Sequence, residues 1–267
     1  MGRLSERFDA LRARGERALV PFVTAGDPDL ATTEALVPVL AEAGADAIEL
    51  GVPFSDPIAE GPTIQKSSER ALAAGASLRR ILELVKGLRP RVDVPIVLMG
   101  YANPFFTMGE RGFAEAAAAV GVDGVIVPDL PPEEGERFYG ALEGAGVDPI
   151  LLAAPTTTPE RLAVLAARSR GFLYYVALTG VTGARAVVAR DLEAGVRRAR
   201  RIASLPVCVG FGVSTPEQAA EIGRYADGVV VGSALVDRIA GESDLAGRLE
   251  VAAAFVAELK APLRDPA

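Results

Sequence analysis

Eight short apolar runs, each followed by a turn and a helical pattern, limit what this chain can fold into more than any other feature. They are ALVPFVTAG (18–26), AIELGVP (47–53), PIVLMGY (95–101), GVIVPDL (124–130), PILLAAP (149–155), FLYYVAL (172–178), PVCVGFG (206–212) and GVVVGSAL (228–235). Near-continuous hydrophobicity rich in Val and Ile suits parallel strands covered on both faces. The segments between them carry helix signals. Residues 29–43 have apolar residues at helical spacing and stop at Gly44. Residues 77–88 open on Ser77 as an N-cap and end before Pro90. Thr158 with Pro159, and Thr215 with Pro216, place a cap and a first-turn proline at the starts of 159–168 and 216–225. Eight strands alternating with helices predict a closed barrel or a doubly wound sheet. The doubly wound sheet usually shows GxGxxG after its first strand, and here that turn reads AGDPD. The expectation is an α/β fold, a (β/α)8 TIM barrel with an extra N-terminal helix over 3–14, in one domain spanning 1–267. The length of 267 residues sits close to the roughly 250 of such barrels.

Composition removes chemistries before it suggests any. The chain has no histidine and one cysteine, Cys208. The usual zinc sites and a Ser–His–Asp triad therefore lack their parts, and no metal is expected. The lone cysteine fits a reducing compartment. A net charge of −7 argues against a nucleic-acid face and against anionic membranes. The charged N-terminus MGRLSERFDALRARGE lacks the apolar core of a secretory signal, and no apolar stretch of about 18 residues offers a membrane span. These features predict a cytoplasmic enzyme whose acid–base work falls on Asp, Glu, Tyr, Lys or Cys.

In such barrels the active site lies at the C-terminal ends of the strands. Glu49 lies inside the second run between Ile48 and Leu50. Strand alternation sends those neighbours toward the helices and Glu49 toward the barrel axis. Burial there raises a carboxyl pKa toward neutrality, as suits a group that both gives and takes a proton. The alternative is a structural glutamate satisfied by an internal hydrogen bond. Asp56 and Glu60 follow on a long loop that could close over a substrate; the alternative is a pair of solvated acids. The segment after the sixth run is also long, and long loops on barrels are often lids. Glycines recur where phosphate binds such barrels: Gly180 and Gly183 after the sixth run, Gly210 and Gly212 closing the seventh, and Gly232 with Ser233 at the end of the eighth. Backbone N–H groups in such turns make anion nests. The three lysines, Lys66, Lys86 and Lys260, all lie outside the eight runs, which disfavours a Schiff-base aldolase. A carbon–carbon cleavage would have to run on carboxylates, with the substrate as its own electron sink.

Seven segments in order, PFVTAGDPD (21–29), ADAIELGVPFSDPIAEGPTIQ (45–65), YANP (101–104), PDLPPEE (128–134), TGVTGAR (179–185), VGFGVSTPEQ (209–218) and ADGVVVGSALV (226–236), resemble the tryptophan synthase α-subunit family over nearly the whole chain. The resemblance implies a lyase of tryptophan biosynthesis that splits indole-3-glycerol phosphate to indole and glyceraldehyde 3-phosphate. It implies that Glu49 delivers the proton to indole C3 and removes that of the glycerol C3′ hydroxyl. It also implies that a loop carboxylate, here Glu60 with Asp56 as fallback, stabilises charge at the indole N–H. The family has aspartate where this chain has Glu60, so the arm gains a methylene. By the same likeness Tyr174 lies near the substrate, and Thr182 bonds the loop carboxylate when the lid closes. Phe22, Met99 and Val127 fall where they would line an apolar indole slot, the alternative being plain core, and the nests at Gly183, Gly212, Gly232 and Ser233 read above suit the phosphate of such a substrate. No cofactor is implied in this chain; pyridoxal phosphate belongs to the β subunit, the partner in an α2β2 assembly. The alternatives are a free-standing lyase of the same fold, a barrel without catalysis that serves as a regulatory subunit, and a different phosphosugar enzyme.

Overall fold

The computed structural model describes residues 2–176, 185–210 and 212–266, and for 185–190 the backbone alone. Nine strands follow in chain order: β1 (Ala18–Thr24), β2 (Ile48–Gly51), β3 (Ile96–Met99), β4 (Gly124–Ile126), β5 (Asp148–Ile150), β6 (Leu152–Ala153), β7 (Leu173–Val176), β8 (Val207–Gly210) and β9 (Gly228–Val231). Every pairing is parallel, in the order β5-β4-β3-β2-β1-β9-β8-β7-β6. The two ends of that order are consecutive in the chain, separated by Leu151 alone. The sheet therefore closes on itself. The fifth apolar run is one barrel strand in two pieces, because β5 pairs with β4 and β6 pairs with β7. The expected eight-stranded barrel is the fold observed.

Side-chain alternation sorts the core into two layers. Val20, Ala47, Val97, Ile126, Ile150, Phe172, Cys208 and Val230 fill the barrel interior, joined by Leu4, Phe8 and Leu11. Those last three come from helix Arg3–Arg14, the expected extra helix, which packs its apolar face against the lower interior. The larger cluster lies between sheet and surrounding helices, with Leu19, Ile48, Leu50, Leu98, Val125 and Val209 on the sheet side. Helix starts follow the sequence signals. Asp29 accepts the Thr32 N–H at the head of helix Leu30–Glu42, and Thr158 accepts that of Arg161. Thr215 forms a capping box with Gln218. Ser77 holds the N-cap position of helix Leu78–Leu88, but its side chain makes no cap bond.

One device recurs at the N-terminal edge of the barrel. The Asp46 N–H donates to the Leu19 carbonyl while its carboxylate accepts the Leu19 N–H at 2.9 Å. Asp123 makes the same reciprocal pair with Ile96, and Asp227 with Val207. Each staple carries a cation: Lys260 on Asp46, Arg89 and Arg3 on Asp123, and Arg200 on Asp227. Neighbouring strands are thus locked at the edge away from the loops that carry function. Among the described residues, no helix is long and apolar enough to cross a membrane.

Candidate functional site

Glu49 sits in β2 with Phe22 of β1 and Val97 of β3 as register partners. Both partners have inward side chains, as the alternation requires, and Glu49 is 1% exposed. Among the described residues neither of its carboxylate oxygens has a hydrogen-bond partner. The alternative of a glutamate satisfied by an internal hydrogen bond finds no partner among those residues. An ionised carboxylate so placed is costly. Burial, with the Glu60 charge second, pushes the Glu49 carboxyl up to about 8.

Glu60 is the last residue but one of the loop 52–61 and is half-buried, where burial raises its carboxyl as well. The Glu60 charge reaches Glu49, and Glu60 lines the pocket above the second strand together with Gly51 and Val52. Asp56 is exposed on that loop and accepts the Ser55 hydroxyl at 2.5 Å. Glu60 lines that pocket, and the fallback Asp56 does not.

The apolar slot forms where Phe22, Ile64 and Val236 cluster with Met99. Phe22 lies across Gly51; a Cβ there would stand 2.5 Å from the Phe22 Cζ. Thr24, Phe54, Glu60, Tyr101 and Pro128 line the same pocket. Tyr174 packs against the barrel interior from β7, in register with Cys208. A Cβ at Gly210 would lie 2.3 Å from its hydroxyl oxygen, so the glycine makes room for the ring. Gly210 therefore serves Tyr174, where the sequence suggested an anion nest. Burial, then the Glu49 and Glu60 charges, hold the Tyr174 phenol well above its usual pKa, so it keeps its proton.

Val127 requires a correction. It is 2% exposed and packs in the layer between sheet and helices. Ile126 faces the barrel interior beside Met99, and Pro128 lines the slot. The parity of β4 thus gives the inward positions to 126 and 128, one residue either side of the expected one.

Gly232, at the end of β9 beside β1, adjoins Phe22: an added Cβ would stand 3.6 Å from that side chain. Gly232 is the N-cap of helix Ser233–Gly241, with no side chain capping that end. The first N–H groups of a helix end without a side-chain cap suit an anion. Gly212 lies in the loop after β8. Thr182 and Gly183 lie outside the described residues, as does Gly180.

Sequence reasoning missed Ile64, Val236 and Tyr101. Ile64 and Val236 lie on the helices after β2 and β9, where an apolar residue carries no signal that separates slot from core. Tyr101 stands in the YANP motif, and its hydroxyl accepts the Ala59 N–H at 2.8 Å. Among the described residues no group of three or more His, Cys, Asp or Glu could hold a metal ion.

The site thus combines an inward glutamate, without a hydrogen-bond partner among the described residues, with a loop acid, an apolar slot and an uncapped helix N-terminus. The family model for the tryptophan synthase alpha chain matches residues 8–264. The chain belongs to the tryptophan synthase alpha chain family. It is 61% identical over 236 residues to the tryptophan synthase alpha chain of Citrifermentans bemidjiense, covering 88% of each chain. It is 51% identical over 267 residues to that of Geotalea uraniireducens, covering 99% of this chain and 98% of the relative. Among solved structures, the tryptophan synthase subunit alpha of Legionella pneumophila superposes with a TM-score of 0.91 at 37% identity, over 98% of both chains. A chain of Mycobacterium tuberculosis tryptophan synthase gives 0.89 at 41% identity, also over 98% of both.

Proposed function

We propose that this chain is a carbon–carbon lyase of tryptophan biosynthesis. It cleaves indole-3-glycerol phosphate to indole and glyceraldehyde 3-phosphate as the α subunit of a tryptophan synthase. The observation that carries this reading is Glu49, buried, without a hydrogen-bond partner among the described residues, and pushed up to about 8. Near neutrality such a carboxyl is mostly protonated, and strand alternation turns it toward the barrel axis. It gives its proton to indole C3, which makes the ring an iminium. The resulting carboxylate takes the proton of the carbinol hydroxyl next to the ring. The bond between that carbon and C3 breaks, its electron pair restores the indole, and the carbinol carbon becomes the aldehyde. Neither metal nor lysine enters this sequence of steps.

Glu60 accepts the indole N–H and stabilises the positive charge that grows there, an interaction strengthened in the transition state. Phe22, Met99 and Ile64 hold the ring, and Tyr174 packs beside it. Gly212, Gly232 and Ser233, together with Gly183, offer N–H groups to the phosphate. Thr182 bonds the Glu60 carboxylate on closure. The reading includes a pyridoxal-phosphate β subunit as partner in an α2β2 assembly, a cytoplasmic location and one domain over 1–267. Ile58, 85% exposed on the loop that carries Glu60, supports a partner surface there, since an apolar side chain at a loop tip gains from being covered.

Indole release from indole-3-glycerol phosphate, measured with and without β subunit, tests the reading. The wild type alone should turn over slowly and accelerate on adding the partner. Glu49→Gln should lose roughly 10³-fold in kcat and Glu60→Gln about 10²-fold. No indole under any condition would mean a different phosphosugar enzyme. Full speed without partner would mean a free-standing lyase. An active Glu49→Gln variant would remove the acid–base role.

A further inference from the structure

Glu60 lies on a loop whose residues 53–60 have few attachments. Within it, Ile58 N–H donates to the Asp56 carbonyl and Glu60 N–H to that of Pro57. Gln65 donates to the Glu60 carbonyl from the helix that follows. Among the described residues, the Tyr101 hydroxyl makes the only hydrogen bond from a barrel strand or its exit to residues 53–60. It accepts the Ala59 N–H at 2.8 Å, one residue before Glu60.

Tyr101 is built as a fixed post. It is 4% exposed and follows β3 at the barrel rim. The next N–H, that of Ala102, donates to Asp129 at 2.9 Å, which pins the backbone from behind. Its ring packs on Phe54 at the start of the same loop, with centroids 5.3 Å apart and planes at 31°. One rigid residue thus grips the loop near both ends. Burial, the largest cause, with the Glu60 charge among the smaller ones, pushes the phenol up to about 12. It therefore stays neutral at physiological pH and accepts the Ala59 N–H while keeping its own proton.

We propose that Tyr101 is a positioning residue for the reaction, and that its bond to the Ala59 N–H sets where the Glu60 carboxyl stands over the slot. This rests on the role given to Glu60 above. The physical need is specific to this chain. A glutamate arm has one more rotatable bond than an aspartate, so a fixed backbone origin matters more to where its carboxyl ends. Tyr101 acts through residue 60 and not on a reacting atom.

The test is a double-mutant cycle of Tyr101→Phe and Glu60→Gln, read as indole release by the full chain assembled with β subunit. Phenylalanine keeps the ring against Phe54 and deletes only the acceptor. Tyr101→Phe should lower kcat about 10- to 100-fold, as misplacement near 1 Å does, with KM changed less than about threefold. In the double variant the Tyr101→Phe loss should vanish, because two residues acting as one unit are not additive. A drop in Glu60→Gln with an unchanged or fully additive Tyr101→Phe overturns the positioning alone. An unchanged rate in Glu60→Gln overturns both the role of Glu60 and the positioning built on it.

Discussion

Glu49 keeps its proton near neutrality because the barrel interior offers its carboxylate no compensating donor among the described residues. That arrangement serves a proton donor and works against the folded state. An unfolded glutamate releases its proton near its ordinary pKa, whereas the folded one holds it until about 8. Between those values the unfolded chain binds fewer protons, so stability falls as pH rises, by up to roughly 1.4 kcal/mol per pH unit. Below the ordinary carboxylate range both states are protonated and the penalty disappears. Glu49→Gln has no charge to bury and should therefore melt higher than the wild type, with a gap that widens from pH 5 to pH 8. Melting curves of both proteins across that range check the sign; a constant gap would mean that Glu49 does not titrate between the two states. On the kinetic side, a step that needs protonated Glu49 should weaken above about pH 8. Glu60 adds to the Glu49 shift through its charge, so Glu60→Gln should bring the kinetic pKa down.

At the scale of elements, glycines at the C-terminal ends of β2 and β8 make room for inward aromatic rings. Gly51 accommodates Phe22 and Gly210 accommodates Tyr174, each with a Cβ clash under 3 Å if substituted. Gly210→Ala should push the Tyr174 ring into the slot, raise KM for indole-3-glycerol phosphate about tenfold or more, and cost about 1–3 kcal/mol of stability as overpacking does. Steady-state kinetics and denaturant melts separate the two effects, and a variant with wild-type KM would place Tyr174 away from the ring's path. Both glycines stood in view in the sequence, yet only strand register reveals which side chain each one admits. The same limit explains the error at Val127. The run GVIVPDL announces a strand, but a continuously apolar strand gives no parity signal, and an offset of one residue exchanges slot for outer core. Glu49 was legible for the opposite reason: a charged residue between Ile48 and Leu50 fixes its own parity. Two helix starts were readable from Thr158 and Thr215, whose side chains do cap. Tyr101 was not, because its partner is a backbone N–H some forty residues away in the chain, a distance no local pattern spans.

Across the whole molecule the two ends of the barrel divide the work. The N-terminal edge holds reciprocal aspartate staples with paired cations and the helix Arg3–Arg14. The C-terminal end holds a buried acid without a hydrogen-bond partner among the described residues, a loop with few attachments and an exposed Ile58. Each staple satisfies a strand N–H and a cation at once, so deleting its charge leaves both short of a partner. Asp227→Asn is the sharpest probe. Its carboxylate accepts the Val207 N–H at 3.0 Å and the Arg200 guanidinium through both oxygens, at 2.8 and 3.0 Å. The amide keeps the size and one acceptor, and loses the charge and the second. Stability should fall by about 1–3 kcal/mol, while kcat and KM of the folded protein stay within about twofold of wild type, since Asp227 stands at the opposite end of β9 from Gly232. Glu49→Gln should do the reverse, with higher stability and almost no turnover. Measuring melting temperature and indole release on both variants tests the division. If Asp227→Asn instead lowered kcat at full stability, strain at the stapled edge would be reaching the slot along β8 and β9, and the two ends would not be independent.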